Sequence, residues 1–389
     1  MDMNIRIIFA LIVLWSANAA SAYEIKAKQS VHEAITRLAL QCLQEQSNLD
    51  TPPQDCGTED GAIENIATHS KSLRTNFNRL EAATRWADDP TRDLYSPLSF
   101  LKFLWGTAPG LKNCEKGEDA TAALSVPHGR GLLCASHYGR LQFFHSMAAL
   151  DEEENVELTR RKVLEWTLFS YKAATGRVDL QQDHCGYWDK QAASAGSKIA
   201  AELAPANFPY CERTKAKTPW RVATLFSMRC WTPKGTVGCT QYVHESRARR
   251  AAAGALLHAI QDSYSQSHVV RGPIPAGLEF KPTADCGKPA RFYAYSLKNQ
   301  AHHGEADTAP PLGDACRTSP RPAHDVVTAT AGAIWHLCRN SPPQVMLDYL
   351  TDRIYGEPAP ALGSVASGPE GSAAPFPKQC ALIGGMGTR

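Results

Sequence analysis

This chain lacks every short motif that would settle its chemistry at once. It has no Walker-type phosphate loop, no nucleophile elbow and no dinucleotide fingerprint, so nucleotide-driven, serine-hydrolase and Rossmann-type chemistry find no foothold. No C-x2-C pair occurs, which argues against zinc held by cysteine. Charge is almost absent on balance: 41 Lys and Arg stand against 39 Asp and Glu. A balanced chain has no overall basic footprint of a dedicated nucleic-acid binder, although a nuclease that grips its substrate through metals is still allowed. Arg247, Arg249 and Arg250 form the one compact basic cluster. Internal repeats are missing and alternating strand patterns are few, so helices must carry the fold.

The longest early apolar run, Ile7 to Trp15, follows Arg6 and leads into Ala19-Ala20-Ser21-Ala22. It is too short to span a bilayer, which takes about 20 residues, and its flanks read as a secretory signal peptide over residues 1–22 with Tyr23 as the new terminus. We therefore expect a secreted or periplasmic protein without a transmembrane segment. The 12 cysteines all lie beyond that point, between Cys42 and Cys380, as expected of disulfides formed in an oxidising compartment.

Helical periodicity is clear in Val31–Gln46, Asn76–Trp86, Glu153–Ala174, Arg247–Ser267, His324–Cys338 and Pro343–Tyr355. The expected fold class is all-α. One helical domain is expected over residues 23–355, with an irregular cysteine-rich insertion at about 176–245 and a Pro/Gly/Ala-rich tail over 356–389.

Within this frame the segment Leu256 to Arg271, LLHAIQDSYSQSHVVR, spaces His258, Asp262 and His268 as H-x3-D-x5-H. At about 100° per residue His258 and Asp262 share a helix face, and imidazole with carboxylate is a normal zinc donor set. His303 and Asp307 repeat the pair downstream. Further candidates are His32, Asp88 in Trp86-Ala87-Asp88, and two mid-chain histidines, His137 and His145, in apolar surroundings. A surface His/Asp pair or a satisfied core histidine would explain any one of these alone.

Taken together, these residues resemble the zinc-dependent phospholipase C and single-strand nuclease superfamily of exported, mainly helical enzymes. Its order is a processed N-terminus, an early His, an Asp, a His, H-x3-D-x5-H and a closing H-x3-E or H-x3-D. The resemblance extends loosely from Tyr23 to Asp307 and implies a multi-helix bundle with disulfide-stapled loops that holds three zinc ions. It further implies that His258 and Asp262 hold one zinc with His145 or His137 and with Asp88. Asp262 would bridge to a second zinc held by His32 and the Tyr23 terminus, and His268, His303 and Asp307 would hold the third. Two departures are plain: the family terminus is typically Trp, and the gap between Asp88 and either mid-chain histidine is long.

The implied activity is a secreted phospholipase C, acting on phosphatidylcholine-type lipids at a membrane surface as a monomer without a stable nucleic-acid partner. Asp88 is the candidate general base as well as a ligand. The context Cys134-Ala-Ser-His137-Tyr-Gly and His32-Glu33-Ala34-Ile35-Thr36 is similar to the phospholipase branch, whereas Trp86-Ala87-Asp88 is similar to the nucleases. An extracellular single-strand nuclease is the alternative. A non-enzymatic exported protein that uses its histidines for stability is the third reading.

Overall fold

The computed structural model describes residues 30–46, 49–69, 80–88, 135–153, 155–203, 220–226, 245–272, 287–295, 312, 324–356 and 380. Among them the chain is predominantly helical, with one two-stranded antiparallel sheet, as an all-α reading requires. No helix of the described residues is long and apolar enough to cross a membrane.

The centre of the molecule is helix α8 (Glu245–Asp262). From Ala251 to Asp262 every residue is buried, because a run of Ala and Gly lets neighbours approach from all sides. Against it pack α4 (Val156–Ala174), α9 (Val326–Arg339) and the short α3 (Leu80–Ala83), which continues as a 3-10 turn over Thr84–Trp86. Gly254 sets the closest of these approaches: a Cβ there would stand 2.0 Å from the Ala83 carbonyl oxygen. Arg249, part of the basic cluster, is buried and donates from Nε to the Ala174 carbonyl at 2.9 Å, capping the end of α4.

Helix α1 (Val31–Glu45) packs on α9 and on the α3 segment. Its apolar stripe of Ala34, Ile35, Ala39 and Leu43 is buried as its periodicity demands, but so are His32, Glu33 and Thr36. That polar side of α1 is turned into the buried interior. Glu33 makes a buried ion pair with Arg85, which locks α1 to the 3-10 turn preceding Asp88. A disulfide, Cys42–Cys56, closes the chain after α1, and α2 (Ala62–His69) follows.

The expected irregular stretch at 176–245 contains helices α5 (His184–Ala195), α6 (Lys198–Leu203) and α7 (Val222–Leu225). Local capping explains the first two. Asp183 accepts from Gly186 N at 2.7 Å, and Gly196 leaves the helix at φ 59°. Glu165 Oε2 then accepts from the backbone N–H of Lys198 and Ile199 at the start of α6, at 2.7 and 3.0 Å.

One expected helix ends early. The Arg247–Ser267 pattern stops at Asp262, because Arg271 captures the next residue, donating to Ser263 O at 2.7 Å and Ser263 Oγ at 2.8 Å. The chain then turns into β1 (Val269–Arg271), paired with β2 (Pro289–Phe292) in the register Val269↔Phe292 and Val270↔Arg291. Helix α10 (Pro343–Tyr349) continues as a π-helix over Leu350–Tyr355, so the helical stretch closes at Tyr355 as its periodicity predicts. Beyond Tyr355, Cys380 is buried and bonded to Cys338 at the end of α9.

Candidate metal centre

Six of the ten ligand candidates, His32, Asp88, His145, His258, Asp262 and His268, converge in one fully buried cluster. They come from five separate parts of the chain. His258 and Asp262 lie one turn apart on α8, and His32 comes from the first turn of α1. Asp88 follows the Thr84–Trp86 turn, and His268 returns after α8 breaks. His145 ends a 3-10 turn over Gln142–His145, where Ser146 takes a left-handed φ of 51° and donates to Ala259 O at 2.6 Å.

The donor atoms have the spacing a metal needs. Asp262 Oδ2 lies 2.8 Å from His258 Nε2 and 3.0 Å from His145 Nδ1, and those two nitrogens are 2.9 Å apart. Asp88 Oδ1 stands 3.5 Å from His258 Nε2 and 3.6 Å from His145 Nδ1. Tetrahedral zinc with bonds near 2.0–2.1 Å separates its ligand atoms by about 3.3 Å, which these distances bracket. The other oxygen of each carboxylate turns to His32: Nε2 is 3.4 Å from Asp262 Oδ1 and 3.8 Å from Asp88 Oδ2. Two overlapping groups, His32/His258/Asp262 and Asp88/His145/His258, can each hold a metal ion. The donor set of imidazole nitrogen and carboxylate oxygen suits zinc or a similar transition metal, whereas magnesium and calcium favour oxygen throughout.

Hydrogen bonds behind the rings fix which nitrogen points inward. His258 Nδ1–H donates to Thr84 O at 2.8 Å and His268 Nδ1–H to His145 O at 2.9 Å, leaving Nε2 of each ring as its free-electron-pair donor. His32 Nδ1–H donates to Gln261 Oε1 at 2.8 Å.

The charges agree with a site that expects a cation. Burial pushes His145 and His258 down to about 4, against the pull of Asp262 beside them. Burial works downward on His32 too, but Asp262, Asp88 and Gln261 outweigh it and lift it to about 9. Burial alone would raise Asp262; His258, His268 and His145 around it hold it well below the usual carboxylate range. The ionised Asp262 and the neutral His145 and His258 are in the forms that bind metal, whereas His32 must release its proton to do so.

Between the two mid-chain histidines, it is His145 that joins the cluster. His137 packs its ring on His145 from outside, 4.5 Å between centroids, is half-buried and belongs to neither group. It leads outward to Tyr138 and Tyr295, whose rings lie 5.0 Å apart. Tyr23, His303 and Asp307 lie outside the described residues. The residues sequence reasoning missed are supporting ones: Gln261, Thr36, the Glu33–Arg85 pair and Gly254. Only Gly254, a glycine inside an Ala-rich helix one turn before His258, carried a visible signal of close approach.

Set against family models, curated proteins and solved structures, the chain gives no match.

Proposed function

We propose that this protein is a zinc-dependent phosphodiester hydrolase, a phospholipase C acting on phosphatidylcholine-type lipids to release diacylglycerol and the phosphorylated head group. The observation that carries the proposal is the pair of overlapping His/Asp groups that share His258 at tetrahedral ligand spacing. The order of these residues along the chain also follows the family resemblance.

Zinc ions held side by side there would bring the pKa of bound water towards neutrality and offset the charge that builds on the phosphodiester oxygens. The protein's own share is placement. Asp262 and Asp88 each turn one oxygen to His145 and His258 and the other to His32, so both are suited to span two adjacent metal positions. This engagement favours ligation over a free general-base role for Asp88. His268 stands at the edge of the cluster, its Nδ1 3.7 Å from Asp262 Oδ2.

The lipid reading draws support from aromatic placement. A nuclease needs exposed rings that stack bases. Trp86 is buried and lies against Trp166 and Phe226, with centroids 6.2 and 5.5 Å away, so it serves the core. Tyr264 is likewise committed, donating to His324 O at 2.8 Å under the Arg271 guanidinium. His137 and Tyr138 are partly exposed beside His145, where a cationic head group would find aromatic faces. Disulfides and the leader-like first residues favour an exported protein.

The test is phosphocholine release from phosphatidylcholine vesicles in zinc buffer, with single-stranded DNA as a parallel substrate. The proposal expects release by the wild-type protein and none by His258→Ala. Cleavage of DNA with no phosphocholine release would replace the lipid reading by the nuclease one.

A further inference from the structure

Gln261 sits between His258 and Asp262 on α8 and is fully buried, and neither the motif spacing nor the ligand set gives it a task. Its side chain closes a three-membered relay. Thr36 Oγ1 donates its single hydroxyl proton to His32 O at 2.9 Å, so towards Gln261 it can only accept. Gln261 Nε2 therefore faces Thr36, at 2.9 Å, and Oε1 faces His32 Nδ1, at 2.8 Å. An amide oxygen requires a proton on Nδ1. The electron pair of His32 is then confined to Nε2, which points at Asp262 Oδ1 and Asp88 Oδ2.

We infer that Gln261, anchored by Thr36, is a positioning residue that fixes the tautomer and ring orientation of His32 and so governs metal binding at the His32/Asp262 position. It does not govern binding at the Asp88/His145/His258 position. This rests on the reading of the cluster as a metal centre. His258 and His268 are oriented by backbone carbonyls, which substitution cannot remove, whereas His32 depends on a side chain. The relay also spans two helices, so it couples the seating of α1 on α8 to occupancy of that position.

The experiment is a competition titration of the purified full chain with Zn2+ against a chromophoric chelator, supported by the visible spectrum of the Co2+-loaded protein. Variants are Gln261→Leu, Gln261→Glu and Thr36→Val, each checked for helical content. Loss of a partner behind a ligating histidine weakens metal binding by about 10- to 100-fold. Gln261→Leu is expected to weaken one equivalent by that factor, change the Co2+ spectrum and leave another equivalent at wild-type affinity. Gln261→Glu keeps an acceptor for Nδ1–H and is expected to restore binding. Equal affinities in Gln261→Leu and wild type, or equal losses in the Leu and Glu variants, would overturn the inference. Should Gln261→Leu not fold, Thr36→Val decides: selective weakening of one equivalent supports the relay, and unchanged binding overturns it. A folded wild type that takes up no Zn2+ would instead sink the metal reading itself, and this inference with it.

Discussion

Replacing Gly254 by alanine tests how the centre is assembled, because this glycine brings α8 against the segment that carries Thr84 and Asp88. The new Cβ would lie 2.0 Å from Ala83 O, 2.3 Å from Ala83 C and 2.9 Å from Ala83 Cβ. None of these atoms is the end of a flexible side chain. To regain an ordinary contact of 3.4 Å the two backbones must part by about 1.4 Å, the difference between 3.4 and 2.0 Å. The His258 Nδ1 to Thr84 O bond, now 2.8 Å, would stretch beyond hydrogen-bonding range. Overpacking of this kind costs about 1–3 kcal/mol and the lost hydrogen bond about 1, while the better helix propensity of Ala returns about 1. The net expectation is about 1–3 kcal/mol of lost stability, with weaker zinc binding. Urea unfolding in chelator and in zinc measures both. Gly332→Ala is the companion, since its Cβ would meet Tyr349 Oη at 2.1 Å and the nearest atoms it meets belong to no candidate ligand. It should destabilise without changing zinc affinity. A Gly254→Ala protein as stable as wild type, with unchanged zinc affinity, would refute the reasoning.

Three further outcomes are expected. In chelator the protein should lose stability as pH falls from 6.5 towards 4, since burial holds His145 and His258 at about 4 whereas the unfolded chain takes up protons near 6.5; this amounts to about 3 kcal/mol per histidine, and a urea midpoint that stays flat across this range would contradict it. His32 acts in the opposite sense, adding stability below 6.5 that disappears as pH rises through about 9. Glu33→Gln leaves the buried Arg85 guanidinium without its carboxylate and should cost about 3–5 kcal/mol in denaturant unfolding. Removing Cys42–Cys56 by the double substitution Cys42→Ala/Cys56→Ala, which opens a sequence separation of 14, should cost about 3 kcal/mol, read as a lower melting temperature without reductant.

Much of this architecture was legible because its determinants are local. The apolar periods of Val31–Gln46 and Glu153–Ala174 match α1 and α4 to within a few residues, and the His258/Asp262 pair lies on one helix face as its spacing requires. What escaped depends on distant partners. The break after Asp262 is imposed by Arg271, which also reaches Gly287 O and Ile354 O, and no helix propensity at Ser263 foretells it. His137 and His145 share an apolar context in the sequence. They are separated only by the 3-10 turn and left-handed Ser146 that swing His145 inward. The helices at 184–203 lay inside the long stretch read as irregular, although Asp183 and Gly196 mark the ends of α5. Gln261 reads as an ordinary helix residue until Thr36 and His32, more than two hundred residues earlier, are seen beside it.

The most direct test of the central claim is the zinc content of the purified protein after exhaustive dialysis, wild type beside His258→Ala, by elemental mass spectrometry. Because His258 offers a single donor atom, Nε2, and that atom belongs to both groups, the account predicts zinc bound to the wild-type chain and the loss of at least one equivalent in the variant. A folded wild-type protein carrying only trace zinc, and unable to take it up on addition, would contradict it.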